Sequence, residues 1–88
     1  MQIIGTETSR RALGFIARSH LLHGFPPSIR EIGAAIGASS SSTANAVVKD
    51  MLDRQWITMK PRTARTIVIT EKGLAALAGD PETTHASR

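Results

Sequence analysis

The chain has 88 residues, 41% of them hydrophobic, and no cysteine; this suffices for one domain with a modest core and excludes a disulfide framework or a thiolate metal site. The 11 Lys and Arg against 7 Asp and Glu give a formal charge of +4 and a pI near 10.8, a balance that suits a polyanionic partner. No apolar run approaches the ~18 residues that cross a bilayer, and Met1-Gln2-Ile3-Ile4-Gly5 lacks the charged start and long apolar core of a signal peptide, so a cytoplasmic protein without membrane association is expected.

Residues 1–5 read as an N-terminal arm. From Thr6 or Glu7 to His23 the pattern predicts a long helix, with Thr6 as its cap and Glu7 in a first turn where negative charge suits the helix dipole. Ala12, Phe15, Ile16 and Ser19 make its stripe, flanked by Leu13, Leu22 and Phe25, so this helix should support the two that follow. Arg10, Arg11 and Arg18 read as a solvated face, with Arg10 or Arg11 close enough to the helix start to reach a phosphate. His20 and His23 are spaced i, i+3, yet a zinc site needs three or four ligands and no third is in sight. His20 therefore reads as a partly buried helix residue and His23 as a solvent-facing one.

Residues 26–57 carry the clearest local signals. Ser28 is placed to cap a second helix while Glu31, three residues on, reaches back to the cap's own N–H, with Pro26 and Pro27 just outside. Ile29, Ile32, Gly33 and Ile36 recur at helical spacing, and Gly33, Ala34 and Ala35 are small enough for another helix to come close. Gly37 supplies the stop, because it takes a left-handed conformation without steric cost. Ala38 and the run Ser39, Ser40, Ser41, Ser42, Thr43 favour a turn and a helix cap, so a third helix should begin near Ser40 or Ser41. On it Ala44, Val47, Val48, Met51 and Leu52 share one side, and Ser42, Asn45, Ala46, Lys49 and Asp53 share the other. Two helices joined by a short turn, one side packing and the other open, make a helix-turn-helix.

Trp56-Ile57-Thr58-Met59-Lys60 and Arg65-Thr66-Ile67-Val68-Ile69-Thr70 are β-branched and alternating, separated by Pro61-Arg62-Thr63-Ala64, and read as a hairpin. Ile57, Met59, Ile67 and Ile69 should face the core, leaving Thr58, Lys60, Thr66 and Val68 outward. Lys60, Arg62 and Arg65 cluster at the tip with no acid between them. Gln55 stands where a glycine would commonly end the preceding helix, so that turn should differ slightly. Thr70 caps a final short helix anchored by Leu74 and Leu77; its Thr70-Glu71-Lys72-Gly73-Leu74 run resembles one in winged-helix regulators, which implies a last helix that packs on the domain or helps form a dimer. Residues 80–88 form a polar, flexible tail, which leaves 6–79 as the folded domain.

Gly24-Phe25-Pro26-Pro27-Ser28, Glu31-Ile32, Ile36-Gly37, the Ser/Asn segment, Lys49-Asp50-Met51-Leu52 and Trp56-Ile57 together resemble the N-terminal DNA-binding domain of LexA-type repressors over roughly residues 6–70. The resemblance implies a mainly α winged helix-turn-helix of three helices, a two-stranded wing and a short C-terminal helix, with the wing beside the recognition helix on the phosphate backbone. It also implies a repressor that binds an inverted-repeat operator as a dimer. Full-length members continue into a self-cleaving peptidase domain with a Ser/Lys pair and the usual dimer interface, for which this chain has no length. Ala78-Gly79 matches the dipeptide cut in that family, although a short Ala-rich helix produces it by chance. A stand-alone regulator from a bacterium, a phage or a mobile element, acting at the nucleoid, and a domain of something longer both stay open; weak or DNA-induced dimerisation is expected of either.

Residue chemistry assigns the contacts. The N-terminal turn of the third helix offers N–H groups and the hydroxyls of Ser39, Ser40 and Ser41 to phosphate oxygens, with Ser28, Lys60, Arg62 and Arg65 as further phosphate contacts. Asn45 can pair bidentately with adenine, Ser42 can bond several base edges, Thr43 or Ala46 can meet a thymine methyl, and Lys49 lies near a phosphate or a guanine. No cofactor is implied. The competing class is a winged helix that docks on another regulator, which would need an exposed apolar patch; Ile3, Ile4 and Val68 are scattered. An enzyme is not expected, since paired carboxylates, a nucleophile with a positioned histidine and a phosphate loop are all missing.

Overall fold

A computed structural model of the chain describes residues 6–61, 63 and 65–78. The arm expected at 1–5, the tail expected at 80–88 and Arg62 lie outside the described residues. Within them the order is α1 (Thr6–His23), α2 (Ile29–Ala35), α3 (Ser41–Asp53), β1 (Ile57–Thr58), β2 (Val68–Ile69) and α4 (Glu71–Leu77). This is the mainly helical winged helix-turn-helix that the sequence predicts.

The α1 helix buries Ser9, Ala12, Leu13, Ile16 and Ser19. Its core stripe is thus centred on Leu13 and Ile16, while Phe15 is only half-buried. At 18 residues it outruns the shorter helices packed on it, so its last turn stands in solvent. Leu22, expected to flank the core, is 78% exposed, and His20 is exposed rather than partly buried. Thr6 sits inside the helix, where its hydroxyl accepts a hydrogen bond from Arg54 Nη2 at 3.1 Å.

The start of α2 is the reciprocal cap read from sequence. Glu31 N–H donates to Ser28 Oγ (3.2 Å) and Ser28 N–H donates to Glu31 Oε1 (2.9 Å). At the other end Gly37, with φ +76°, lets its own N–H reach Ala34 O and the Ala38 N–H reach Gly33 O at 2.9 Å. The chain then turns into α3, capped by Ser40 Oγ, which accepts from Thr43 N–H. Gly33 is the point where α2 and α3 meet: a β-carbon there would lie 2.9 Å from Ala44 Cβ. Ala34 and Ala35 are exposed and take no part in that close approach. Ala44, Val47, Val48 and Met51 form the buried face of α3, and the last three join Leu13, Ile16, Ile32, Trp56, Ile57 and Ile67 in one core. Each large apolar side chain there contributes about 1.5–3 kcal/mol by leaving water.

The α3 helix closes as α2 does, with Gln55 N–H bonded to Leu52 O and Trp56 N–H to Met51 O, both at 3.0 Å. Here, however, the left-handed residue is Gln55, with φ +65°. A side chain in that region costs about 1–2 kcal/mol, partly offset when glycine replaces it by glycine's greater freedom in the unfolded chain. Gln55→Gly should therefore stabilise the domain by about 0.5–1 kcal/mol, read as a higher midpoint in thermal unfolding. A lower midpoint would mean that the hydrogen bond from Lys72 Nζ to Gln55 Oε1 outweighs the strain.

The wing is shorter than its alternating pattern suggests. Among the described residues only Ile57 with Ile69 and Thr58 with Val68 pair, antiparallel. Beyond them side chains replace the backbone ladder: Lys60 N–H donates to Thr66 Oγ1 at 3.0 Å, and that hydroxyl donates to Thr63 O at 3.0 Å. Ile57 and Ile67 are buried, Met59 and Ile69 half-buried, and Thr58, Lys60 and Val68 point out as expected. Thr66 is half-buried because its hydroxyl closes the loop.

Thr70 caps α4, its Oγ1 accepting from Gly73 N–H at 3.1 Å and donating to Gln55 O. The buried face of α4 is Gly73 and Ala76. Leu74, expected to anchor the helix, is 56% exposed, and Leu77 is half-buried. The helix lies so close to the Trp56 backbone that only a residue without a side chain fits at 73, and that rotation turns Leu74 outward.

Candidate nucleic-acid interface

The outward stripe of α3 follows from its buried one. Because Ala44, Val47, Val48 and Met51 face the core, Ser41, Ser42, Asn45 and Lys49 face solvent, and all four are exposed. Asn45 makes no hydrogen bond among the described residues, so its amide presents both donor and acceptor outward. Thr43 and Ala46 are half-buried at the margin of the stripe. Lys49 Nζ lies 3.3 Å from Asp53 Oδ2, with both side chains mostly exposed, a pair weak enough to open for a stronger anion.

Ser39, Ser40 and Ser41 are exposed at the start of α3, with the Ser40 hydroxyl committed to the cap. They share a shallow cleft with Arg30 of α2. Arg30 is a cation beside the helix start that the sequence did not single out; only the α2–α3 crossing brings it there. Ser28 is half-buried and bound into its own cap.

At the wing, Lys60 is exposed. Arg65 does something its place in the basic cluster did not foretell. With φ +59°, it turns back on α2, and its two guanidinium nitrogens Nη1 and Nη2 donate to Glu31 Oε1 and Oε2 at 3.0 and 3.1 Å. The same group donates to Pro26 O and lies 5.1 Å over the Phe25 ring. Glu31 thus serves the α2 cap and clamps the wing. The Arg65 hydrogen bonds, followed by the Ser28 N–H, hold the Glu31 carboxyl below its ordinary value, and Glu31 raises Arg65 in turn. A depressed folded-state value means stability present above the ordinary carboxylate value and lost as pH falls through the folded one. Glu31→Gln should accordingly be less stable than the parent at neutral pH, with the gap closing as pH falls below about 4. Urea midpoints across a pH series check this; a constant gap would show that the carboxylate's charge contributes nothing.

The α3 helix is braced from behind. Ser9 O–H and Arg54 Nε both donate to Asp50 Oδ2, at 2.5 and 2.7 Å, and Arg54 continues to Thr6 and lies 5.2 Å over the Trp56 ring. This network joins the last turns of α3 to the first turns of α1. Its Asp50–Arg54 half was visible as an i, i+4 pair, whereas Ser9 was not.

The LexA DNA binding domain family matches residues 5–66. Among curated proteins, the chain is 47% identical over 72 residues to the LexA repressor of Oenococcus oeni, covering 81% of this chain and 33% of that protein. It is 40% identical over 70 residues to the LexA repressor of Leuconostoc citreum, covering 76% and 33%, and 39% identical over 80 residues to that of Leuconostoc mesenteroides subsp. mesenteroides, covering 88% and 37%. The chain spans about a third of the length of these relatives.

Proposed function

The chain belongs to the LexA DNA-binding domain family, and from that premise we propose that it binds double-stranded DNA sequence-specifically as a small transcriptional regulator, a repressor, with residues 6–79 as the binding unit. The observation that carries the reading is Asn45, exposed with an unbonded amide at the centre of the outward stripe of α3. With α3 in the major groove, Asn45 pairs with adenine, Ser42 with a base edge, and Thr43 or Ala46 touches a thymine methyl. Lys49 leaves Asp53 for a guanine or a phosphate. The start of α3 and its serines, with Arg30, hold one stretch of backbone, and the wing holds another through Lys60 and Arg62. Arg65 stays with Glu31 and fixes the wing's angle to α2, reaching a phosphate only if that pair opens. The family match favours this reading over protein docking, and no catalytic step is assigned.

One domain on one half-site binds weakly, so an inverted repeat and a dimer formed weakly or on the DNA are part of the proposal. The protein would act at bacterial or phage DNA in the cytoplasm. Fluorescence anisotropy against a random duplex pool and the DNA upstream of its own gene, across a range of salt, tests this. Specific DNA should win, and affinity should fall steeply as salt rises. Lys60→Ala should weaken binding to all sequences alike and reduce the slope of log affinity against log salt by about 1. No binding to either DNA at low salt would overturn the proposal.

A further inference from the structure

The buried stripe of α1 faces α3 and the core; half a helical turn away, its outer side carries Glu7, Arg10, Arg11, Gly14 and Arg18. These residues run along a cleft of about 1150 Å³ between α1, α4 and the ends of α2 and α3. Its cations are Arg11 and Arg18 from α1 and Lys72 from α4, together with Arg10, which is engaged by a partner, and Arg54, which Asp50 neutralises. Glu7 is the one carboxylate among the described lining residues. Lys72 is bonded to a neutral amide oxygen and Arg11 to the Ile36 carbonyl, so neither charge is cancelled there. Besides the charged side chains and Thr6, the lining is apolar: Gly14, Ala35, Ala75 and Ala76, with Phe15 and Trp56.

We propose that this cleft is a second binding site, for an acidic amphipathic segment of a partner protein, used while α3 is on DNA. Charge complementarity selects an acidic occupant. The apolar floor selects a polypeptide over a phosphodiester strand, because a row of leucines on a helix would fill it and a phosphate backbone has no apolar face to offer. The outward stripes of α1 and α3 point away from each other, since each is opposite a face buried in the shared core. A partner on α1 therefore does not compete with DNA on α3. The site stands whether or not DNA is the ligand of α3; only simultaneous occupancy depends on that reading.

The test uses the full chain and a fluorescein-labelled helical peptide with leucines at i, i+3 and i+4 spacing and glutamates elsewhere, beside a scrambled peptide of identical composition. The patterned peptide should bind about tenfold tighter than the scrambled one, and amide NMR shifts should move along α1 from Arg10 to Arg18 and along α4, not along α3. Arg18→Glu with Lys72→Glu should weaken the peptide by about tenfold and leave the ratio of specific to random DNA binding unchanged. Arg18→Ala, which only truncates an exposed side chain, serves if the double variant does not fold, and should weaken the peptide in the same direction. Saturating duplex should leave peptide binding in place. Equal affinity for both peptides, or displacement by inorganic tripolyphosphate as effective as by unlabelled peptide, would overturn the proposal in favour of an unselective anion surface. Displacement by duplex would place the site on the DNA face and overturn it as well.

Discussion

Asn45→Ala should erase discrimination at one base position of the operator while leaving the fold intact. A bidentate amide–adenine pair contributes about 1–3 kcal/mol of discrimination, which is roughly 5- to 150-fold in relative affinity. The side chain is exposed and unbonded, so the substitution should change stability by less than about 0.5 kcal/mol. Affinity for random duplex should persist, because the cations that set it are untouched. Competition anisotropy with the operator and with single-base variants would show the preference collapsing at one base pair and surviving at the others. An unchanged preference at every position would remove Asn45 from the readout and shift attention to Ser42 and Lys49.

Gly73→Ala should destabilise the domain, against what helix propensity alone predicts. In a helix interior, alanine normally gains about 1 kcal/mol over glycine. At this position, though, the added carbon would lie 2.3 Å from the Trp56 carbonyl oxygen and 2.7 Å from Ile69 Cγ2. The carbonyl cannot simply step aside, since it accepts the Thr70 N–H at 2.9 Å where the wing returns to the core. The α4 helix must lift instead, uncovering Ala76 and loosening β1 against β2. Overpacking of this kind costs about 1–3 kcal/mol, and each kcal/mol moves the midpoint by about 4–8 °C in a domain this small. A midpoint equal to or above the parent's would show that α4 is held too loosely to transmit the clash.

These two positions also divide what could be read early from what could not. The stripe that presents Asn45 was legible because helical periodicity sorts Ala44, Val47, Val48 and Met51 from Ser42, Asn45 and Lys49, although Leu52, expected on the packing side, lies exposed at its edge. The caps by Ser28, Ser40 and Thr70 were legible too, since each hydrogen bond spans three residues. The role of Gly73 was not. Nothing local to it announces a carbonyl from residue 56 against it. Arg65 gives the same lesson: its neighbours made it one of three wing cations, yet its fork closes on Glu31, 34 residues away.

By itself, then, the sequence determined the order and type of the elements, the caps of α2, α3 and α4 and most of the outward face of α3. These depend on interactions within one or two helical turns, which the chain carries wherever it goes. Tertiary structure alone decided that Arg30 stands beside the serines, that Glu31 holds the wing, that Leu74 faces water and that Ser9 braces Asp50 across 41 residues. Such partners come within bonding distance only after the core has closed, and side chains of one charge or polarity offer several equivalent mates until packing leaves a single one in reach.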